Sequence, residues 1–294
     1  MVPAEILSAA SSILGPLDNI EPVSGGDVAR AARATTQNGP VFLKWKPGAP
    51  PDLFAKEADG LARLRAAGAL RVPDVIATGE EPPFLVLEYI AQSPPADPAR
   101  FRSRFAEGLA RLHAGNRAPN GCFGLETDNY LGSERQINSP KADWSDFYRD
   151  RRLAAQVERA RRGRLLPGYR ETSLERVLES VERLLADLQS VPVLIHGDLW
   201  SGNFLSLGEE PVLIDPAVYY AEREVEIAYI ELFGGFPAGF VNNYRAFTPL
   251  SDGYEARRPL HQLYPLLIHL NHFGETYGPA VDRAAAACLC VINR

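Results

Sequence analysis

Between residues 193 and 216 the chain reads "VLIHGDLWSGNFLSLGEEPVLIDP", and His196, Asp198, Asn203 and Asp215 stand in otherwise apolar text. Ionisable groups in such surroundings are costly unless something pairs with them. Phosphoryl transfer would supply the partners. An aspartate can meet an attacking hydroxyl, while an asparagine five residues on, after the loop has turned back, points its amide oxygen at a metal bridging phosphates. Asp215, twelve residues further at the end of a second short strand, can complete a Mg²⁺ site, because magnesium takes few protein oxygens and fills the rest with phosphate and water. A cation for the phosphates is available upstream. Lys44 sits in "VFLKWK", where strand alternation turns it inward with Phe42 while Leu43 and Trp45 face the other way. Glu57 shares a helical stripe with Leu53, Leu61 and Leu64, so its carboxylate needs a partner, and Lys44 is the candidate. Alone, Lys44 and Glu57 read equally as two surface charges. The five residues together, in this order, point to a nucleotide site.

These groups need a scaffold of two kinds. From about residue 20 to 90, "VARAARATT", "PVFLKWK", "VPDVIAT" and "PFLVLEYI" alternate with turn residues and read as strands, interrupted by one helix over 52–67. Three prolines in "QSPPADP" then mark a break. Beyond it, helices are expected over 98–114, 143–162, 172–190 and 255–290, with "VPVLIH" and "PVLIDP" as the paired strands of a hairpin-like insert. The expected fold is α+β: a small β-rich nucleotide-binding lobe over 1–90 and a larger, mostly helical catalytic lobe over 91–294. Ligands favour the crevice between such lobes. The backbone of Glu88 and Ile90, where the last strand meets the break, can offer an adenine edge an acceptor and a donor.

Composition excludes several classes. The chain of 294 residues is 46% apolar and 23% charged, ordinary globular material. Its net charge of −6 opposes nonspecific attraction to nucleic acid, and no nucleic-acid motif is present. No apolar run approaches the roughly 20 residues that span a bilayer, and the first fifteen residues lack a signal-peptide pattern, so a cytoplasmic protein is expected. The three cysteines suit neither a disulfide framework nor a zinc site. The arginine run over 149–164 reads as a solvated helix face, and His261, His269 and His272 as packing or surface residues. A monomer is the working expectation.

The spacing H-x-D-L-x-x-x-N over 196–203 is that of a kinase catalytic loop. More specifically, "HGDLWSGN" at 196–203, "IDPAVYYAEREVEIAYIELFGGF" at 214–236 and "FGLETDNYLGSERQINSPKADWSDFYRDRRL" at 123–153 resemble the fructosamine kinase (ketosamine 3-kinase) family, within the wider protein-kinase-like group that includes aminoglycoside phosphotransferases and choline kinases. The resemblance implies ATP-dependent phosphorylation of the O3 hydroxyl of a ketosamine, a fructosamine or ribulosamine, either free or on protein lysines. The 3-phosphate would eliminate and release the amine. Carried onto this chain, Asp198 is the base, Asn203 and Asp215 hold Mg²⁺, and Lys44, positioned by Glu57, contacts the phosphates. Gly25 and Gly26 of "SGGD" cover them. Trp200 and Ser201 face the substrate, Trp200 stacking on the sugar or wedging the loop.

His196 reads as a pin for the loop backbone rather than a proton carrier. The chain departs from the family pattern at Ala221, where glycine is expected, and at Glu226, where aspartate is expected to brace the catalytic loop. The longer side chain implies either a re-spaced brace or a looser loop. A kinase of choline, an aminoglycoside or homoserine, and a noncatalytic nucleotide-binding module, are the alternatives.

Overall fold

The computed structural model describes residues 1–23 and 29–292, so Gly25 and Gly26 lie outside the described residues. Helix α1 (Ala4–Leu14) precedes β1 (Asp18–Val23), β2 (Arg30–Thr36), β3 (Gly39–Trp45), α2 (Leu53–Ala67), β4 (Val75–Glu80) and β5 (Pro83–Glu88). The strands form one antiparallel sheet in the order β1-β2-β3-β5-β4. Alternation along β3 sorts its side chains between two cores. Val41, Leu43 and Trp45 pack with Ile6, Ala10, Phe84 and Val86 under α1. Phe42 and Lys44 face α2, Phe42 packing into the cluster of Leu53, Leu61 and Leu85. Helix α1 was not expected, yet it covers the sheet face that β3 turns away from Lys44.

The proline-marked break leads into α3 (Pro98–Gly115). Its N-terminus is set by Asp97, whose carboxylate accepts from the N–H groups of Ala99 (2.9 Å) and Arg100 (3.1 Å), with Pro98 in the first turn where no N–H is needed. There follow β6 (Asn129–Leu131), β7 (Glu134–Gln136), α4 (Trp144–Phe147), a π-helical stretch over Tyr148–Leu153, α5 (Ala154–Arg162), α6 (Gly168–Glu179) and α7 (Val181–Leu184). The remainder comprises β8 (Val193–Ile195), β9 (Phe204–Leu207), β10 (Glu210–Leu213), β11 (Tyr219–Ala221), α8 (Glu224–Phe233), α9 (Phe240–Phe247), α10 (Tyr254–Phe273), a 3₁₀ turn over Gly274–Tyr277 and α11 (Gly278–Ile292).

Three expectations are corrected. The two strands read around the catalytic segment do not pair with each other: β10 pairs with β9 across a tight hairpin, and β8 pairs with β11, Ile195 opposite Tyr219. The expected helix over 255–290 is two helices, because Gly274 at φ +72° ends α10. Likewise, helix begins at Gly168 rather than 172, breaks at Ser180 and stops at Leu184. The arginine run also has an exception. Arg152 is wholly buried, its guanidinium 3.9 Å from the Tyr219 ring centre and donating to Ile137 O (2.6 Å) and Asn138 Oδ1 (2.8 Å).

One apolar cluster runs from α2 and β5 through Phe105 and Leu109 of α3 to Ile227 of α8 and Tyr244 of α9, and Leu199, Leu213 and Val218 belong to it. Leu199 therefore anchors the segment between Asp198 and Trp200. Burying one such side chain contributes about 1.5–3 kcal/mol.

Candidate active site

Strand β8 delivers His196 to a loop that closes over its own backbone. Gly197 adopts φ +84°, and a Cβ there would stand 2.1 Å from the carbonyl oxygen of Ala217, so only glycine fits. The buried His196 accepts from the Asp198 N–H through Nδ1 (3.3 Å) and donates from Nε2 to Ile214 O (2.9 Å), while its own carbonyl accepts from Ala217 N–H (2.9 Å). Burial pulls the imidazole below its ordinary range, which keeps it neutral and suited to one donor and one acceptor. It pins the loop, as expected.

Both oxygens of Asp198 are held. Asn203 donates from Nδ2 to Oδ2 (2.9 Å) and to the Asp198 carbonyl (2.8 Å), and the Tyr229 hydroxyl donates to Oδ1. Burial pushes the Asp198 carboxyl up to about 7; Asp215 adds to the rise, while Tyr229, Asn203 and Lys44 oppose it. Asp198 thus feels the charges of both Asp215 and Lys44.

Across the site, Lys44 Nζ lies 2.9 Å from each carboxylate oxygen of Glu57 and 2.9 Å from Asp215 Oδ1. Burial alone would pull the ammonium down, but Asp215 and Glu57 hold it above its usual value. Two carboxylates share one cation. Burial, with Asp215 nearby, therefore pushes Glu57 up to about 7 against the pull of Lys44. Asp215 itself has φ +55°, a left-handed conformation uncommon outside glycine, which the surrounding contacts enforce. Asn129 Nδ2 and Gln136 Nε2, from the β6–β7 hairpin, donate to the carbonyls of Val218 (2.8 Å) and Ala217 (3.1 Å), fixing the backbone just beyond it.

The residues suit a magnesium ion with nucleotide phosphates. The Asn203 amide nitrogen is committed to Asp198, which leaves its oxygen for a cation, and one Asp215 oxygen remains beyond the Lys44 contact. A bond from Ile214 N–H to Asn203 O (3.1 Å) ties the two segments side by side. Two protein oxygens form an incomplete set, which is what Mg²⁺ takes when phosphates supply the rest. Among the described residues no cluster of three His, Cys, Asp or Glu forms an all-protein metal cage.

The remaining expected residues sit as follows. The Glu88 side chain turns to Arg71 (2.6 Å) and its N–H donates to Asp74 O (2.8 Å), so only its carbonyl is left to a nucleotide base; Ile90 is buried two residues on. Trp200 folds onto Gly202, where a Cβ would stand 2.4 Å from the ring. Ser201 packs against Gly235, just past the end of α8, so "ELFGGF" both ends that helix and walls the loop.

Glu226 resolves the departure noted in the sequence. Its Oε1 accepts from the Gly197 N–H (2.8 Å), so the brace is re-spaced and kept. The other oxygen meets His113 Nε2 at 2.9 Å; His113 Nδ1 meets the Tyr244 hydroxyl at 2.8 Å, and Arg223 donates to that hydroxyl at 3.2 Å. Burial would raise Glu226, yet its partners, His113 foremost, hold it below its ordinary value. His113, Tyr229 and Tyr244 were not read from the sequence. Tyr229 lies three residues after Glu226, one helical turn, and that spacing is the signal that would have found it.

The fructosamine kinase family model matches residues 4–290. The chain belongs to the fructosamine kinase family. A relative from Enterococcus faecium named a probable ketoamine kinase is 41% identical over 266 residues, covering 89% of this chain and 92% of that protein. The chloroplastic protein-ribulosamine 3-kinase of Arabidopsis thaliana is 34% identical over 272 residues, covering 89% and 79%. A crystal structure from Thermobifida fusca, named as a fructosamine-3-kinase, superposes with a TM-score of 0.86 at 31% identity, covering 98% of this chain and 99% of that one. Fructosamine kinases are ATP-dependent phosphotransferases with a protein-kinase-like fold, and this chain shares both properties.

Proposed function

We propose that the protein phosphorylates the O3 hydroxyl of ketosamines, free or on glycated protein lysines, with Asp198 as the group that receives the hydroxyl proton. The observation that carries this reading is a buried carboxylate with both oxygens oriented, set beside a Lys44–Glu57–Asp215 charge cluster, in a fructosamine kinase. The relatives named for ketoamines, ribulosamines and fructosamines support the substrate class.

In this mechanism Asp198 accepts a hydrogen bond from O3 and aligns it with the terminal phosphorus of ATP. The O3–P bond forms, the bond from phosphorus to the ADP oxygen breaks, and the O3 proton passes to Asp198. Lys44 steadies the phosphate oxygens and is itself steadied by Glu57. Asn203 and Asp215 would hold Mg²⁺, which would supply charge neutralisation for the phosphates. The backbone at Glu88 and Ile90 receives the adenine, and Trp200 and Ser201 border the sugar. The division into lobes over 1–90 and 91–294, with the nucleotide in the crevice, is part of the same proposal, as is a cytoplasmic monomer. Among the described residues no helix is long and apolar enough to cross a membrane. Since Glu226 retains the brace, the main ground for a noncatalytic module is gone.

The test is ADP formation from Mg²⁺-ATP with a fructosamine, a ribulosamine, choline and kanamycin as acceptors. Turnover of one or both ketosamines is expected. Turnover of choline or kanamycin alone would sink the proposal.

A further inference from the structure

A small cavity of about 10 Å³ adjoins the catalytic loop, lined by Gly197, Glu226, Tyr229, Tyr148, Tyr264 and His261 among others. His261 is wholly buried, and among the described residues neither ring nitrogen has a hydrogen-bond partner. Glu224 Oε2 stands 3.9 Å from Nδ1, outside hydrogen-bond reach, and already accepts from Arg257 (2.9 Å). Burial, helped by the Arg257 charge, pulls the imidazole down to about 3, so it is neutral and presents one N–H and one lone pair. Buried polar groups of this kind are rarely left unpaired.

The neighbouring side chains are already engaged. Tyr148 donates to the carbonyls of His261 (2.9 Å) and Leu260 (3.1 Å), Tyr264 to Gln136 Oε1 (3.1 Å), and Tyr229 to Asp198. The two Glu226 oxygens meet Gly197 and His113. With their protons committed, the tyrosine hydroxyls can offer only lone pairs. The species that fits must both donate and accept, and about 10 Å³ is the room of a single water.

We propose that this cavity binds a single water molecule between His261 and the hydroxyl oxygens of Tyr229 and Tyr264, and that Tyr229, so supported, is a positioning residue for the Asp198 carboxylate. The positioning half rests on the phosphotransfer reading; the water site does not. A tyrosine hydroxyl that donates to Asp198 while accepting from a fixed water is held at both ends, and hydrogen bonds in such chains strengthen one another.

A crystal structure of the protein that resolves ordered water tests the site. One density peak within hydrogen-bond distance of His261 is expected; a cavity without density, or His261 paired to a protein group, overturns it. Steady-state kinetics with a ketosamine, alongside melting temperatures, test the positioning. Tyr229→Phe is expected to lower kcat roughly 10-fold with KM for ATP unchanged. His261→Leu, which cannot hold the water, is expected to lower kcat about 3-fold, and His261→Gln, which keeps a donor and an acceptor, to recover most of it. Unchanged kcat in folded Tyr229→Phe and His261→Leu proteins overturns the positioning role, as does a loss that follows melting temperature and is not recovered by His261→Gln. If the wild-type protein turns over no ketosamine, the functional reading fails and the positioning role with it, while the density still decides the water site.

Discussion

The two sides of the site are built on different principles. On the Lys44 side, three charged groups meet with nothing between them: one ammonium against the carboxylates of Glu57 and Asp215. On the Asp198 side the groups are interleaved with backbone and neutral hydroxyl partners, through Asn203, Tyr229, His196 and the Glu226 brace. The first side sets two carboxylates against one ammonium, and burial foremost, with Asp215 beside it, pushes Glu57 up to about 7. The second is complete before any substrate binds. The difference separates charge from geometry: on one side carboxylates sharing a cation, of the kind that suits a metal and phosphates, on the other a network that fixes the orientation of the Asp198 carboxylate.

The comparison is broken most severely by Asp198→Asn. Removing the base should lower kcat by roughly 10² to 10⁴-fold while ATP binding, followed by calorimetry, persists; full activity would end the assignment. Lys44→Met attacks the other side and should reduce kcat/KM for ATP by about 100-fold. It should cost less stability than a break in the brace, because Glu57, already pushed up to about 7 by burial, takes a proton when its cation is removed, and Asp215 is a third exposed and can turn to water. His113→Leu does the reverse. It strands the Glu226 carboxylate in a dry site and should lower the urea-unfolding free energy by about 3 kcal/mol. If the two variants lose stability equally, the contrast between the sides is wrong.

The smallest effect is in pH. Asp198 must be ionised to receive a proton, and burial holds it up to about 7, so kcat/KM should fall as pH drops through about 7. Glu57 lies in the same range, and Glu57→Gln should leave that limb in place if Asp198 is its source.

The Lys44 side was more legible than the Asp198 side, and the reason is range. Strand alternation in β3 and the leucine stripe of α2 are local patterns, and they placed Lys44 against Glu57 correctly. The His113–Glu226 contact joins residues 113 apart in sequence, and His113 sits in the last turn of an amphipathic helix where it reads as an ordinary polar terminus. Tyr229, in "EIAYIELF", reads as another core aromatic. The pairing of β8 with β11 was missed because both strands are three residues long and the pairing crosses the whole catalytic segment. Helix α1 escaped although "AEILSAASSIL" has an apolar face, because its small residues and short length carry little weight until the sheet beneath it buries Ile6 and Ala10.

The Gly197 amide, fastened through Glu226 to His113 in the middle of the larger core, has a consequence for motion. The catalytic loop cannot open on its own, because releasing it would leave the buried Glu226 carboxylate of α8 without a partner. Any motion of this segment is therefore shared with the core helices that hold it. Asp198 is thus expected to keep its place on the core while nucleotide and acceptor are brought to it.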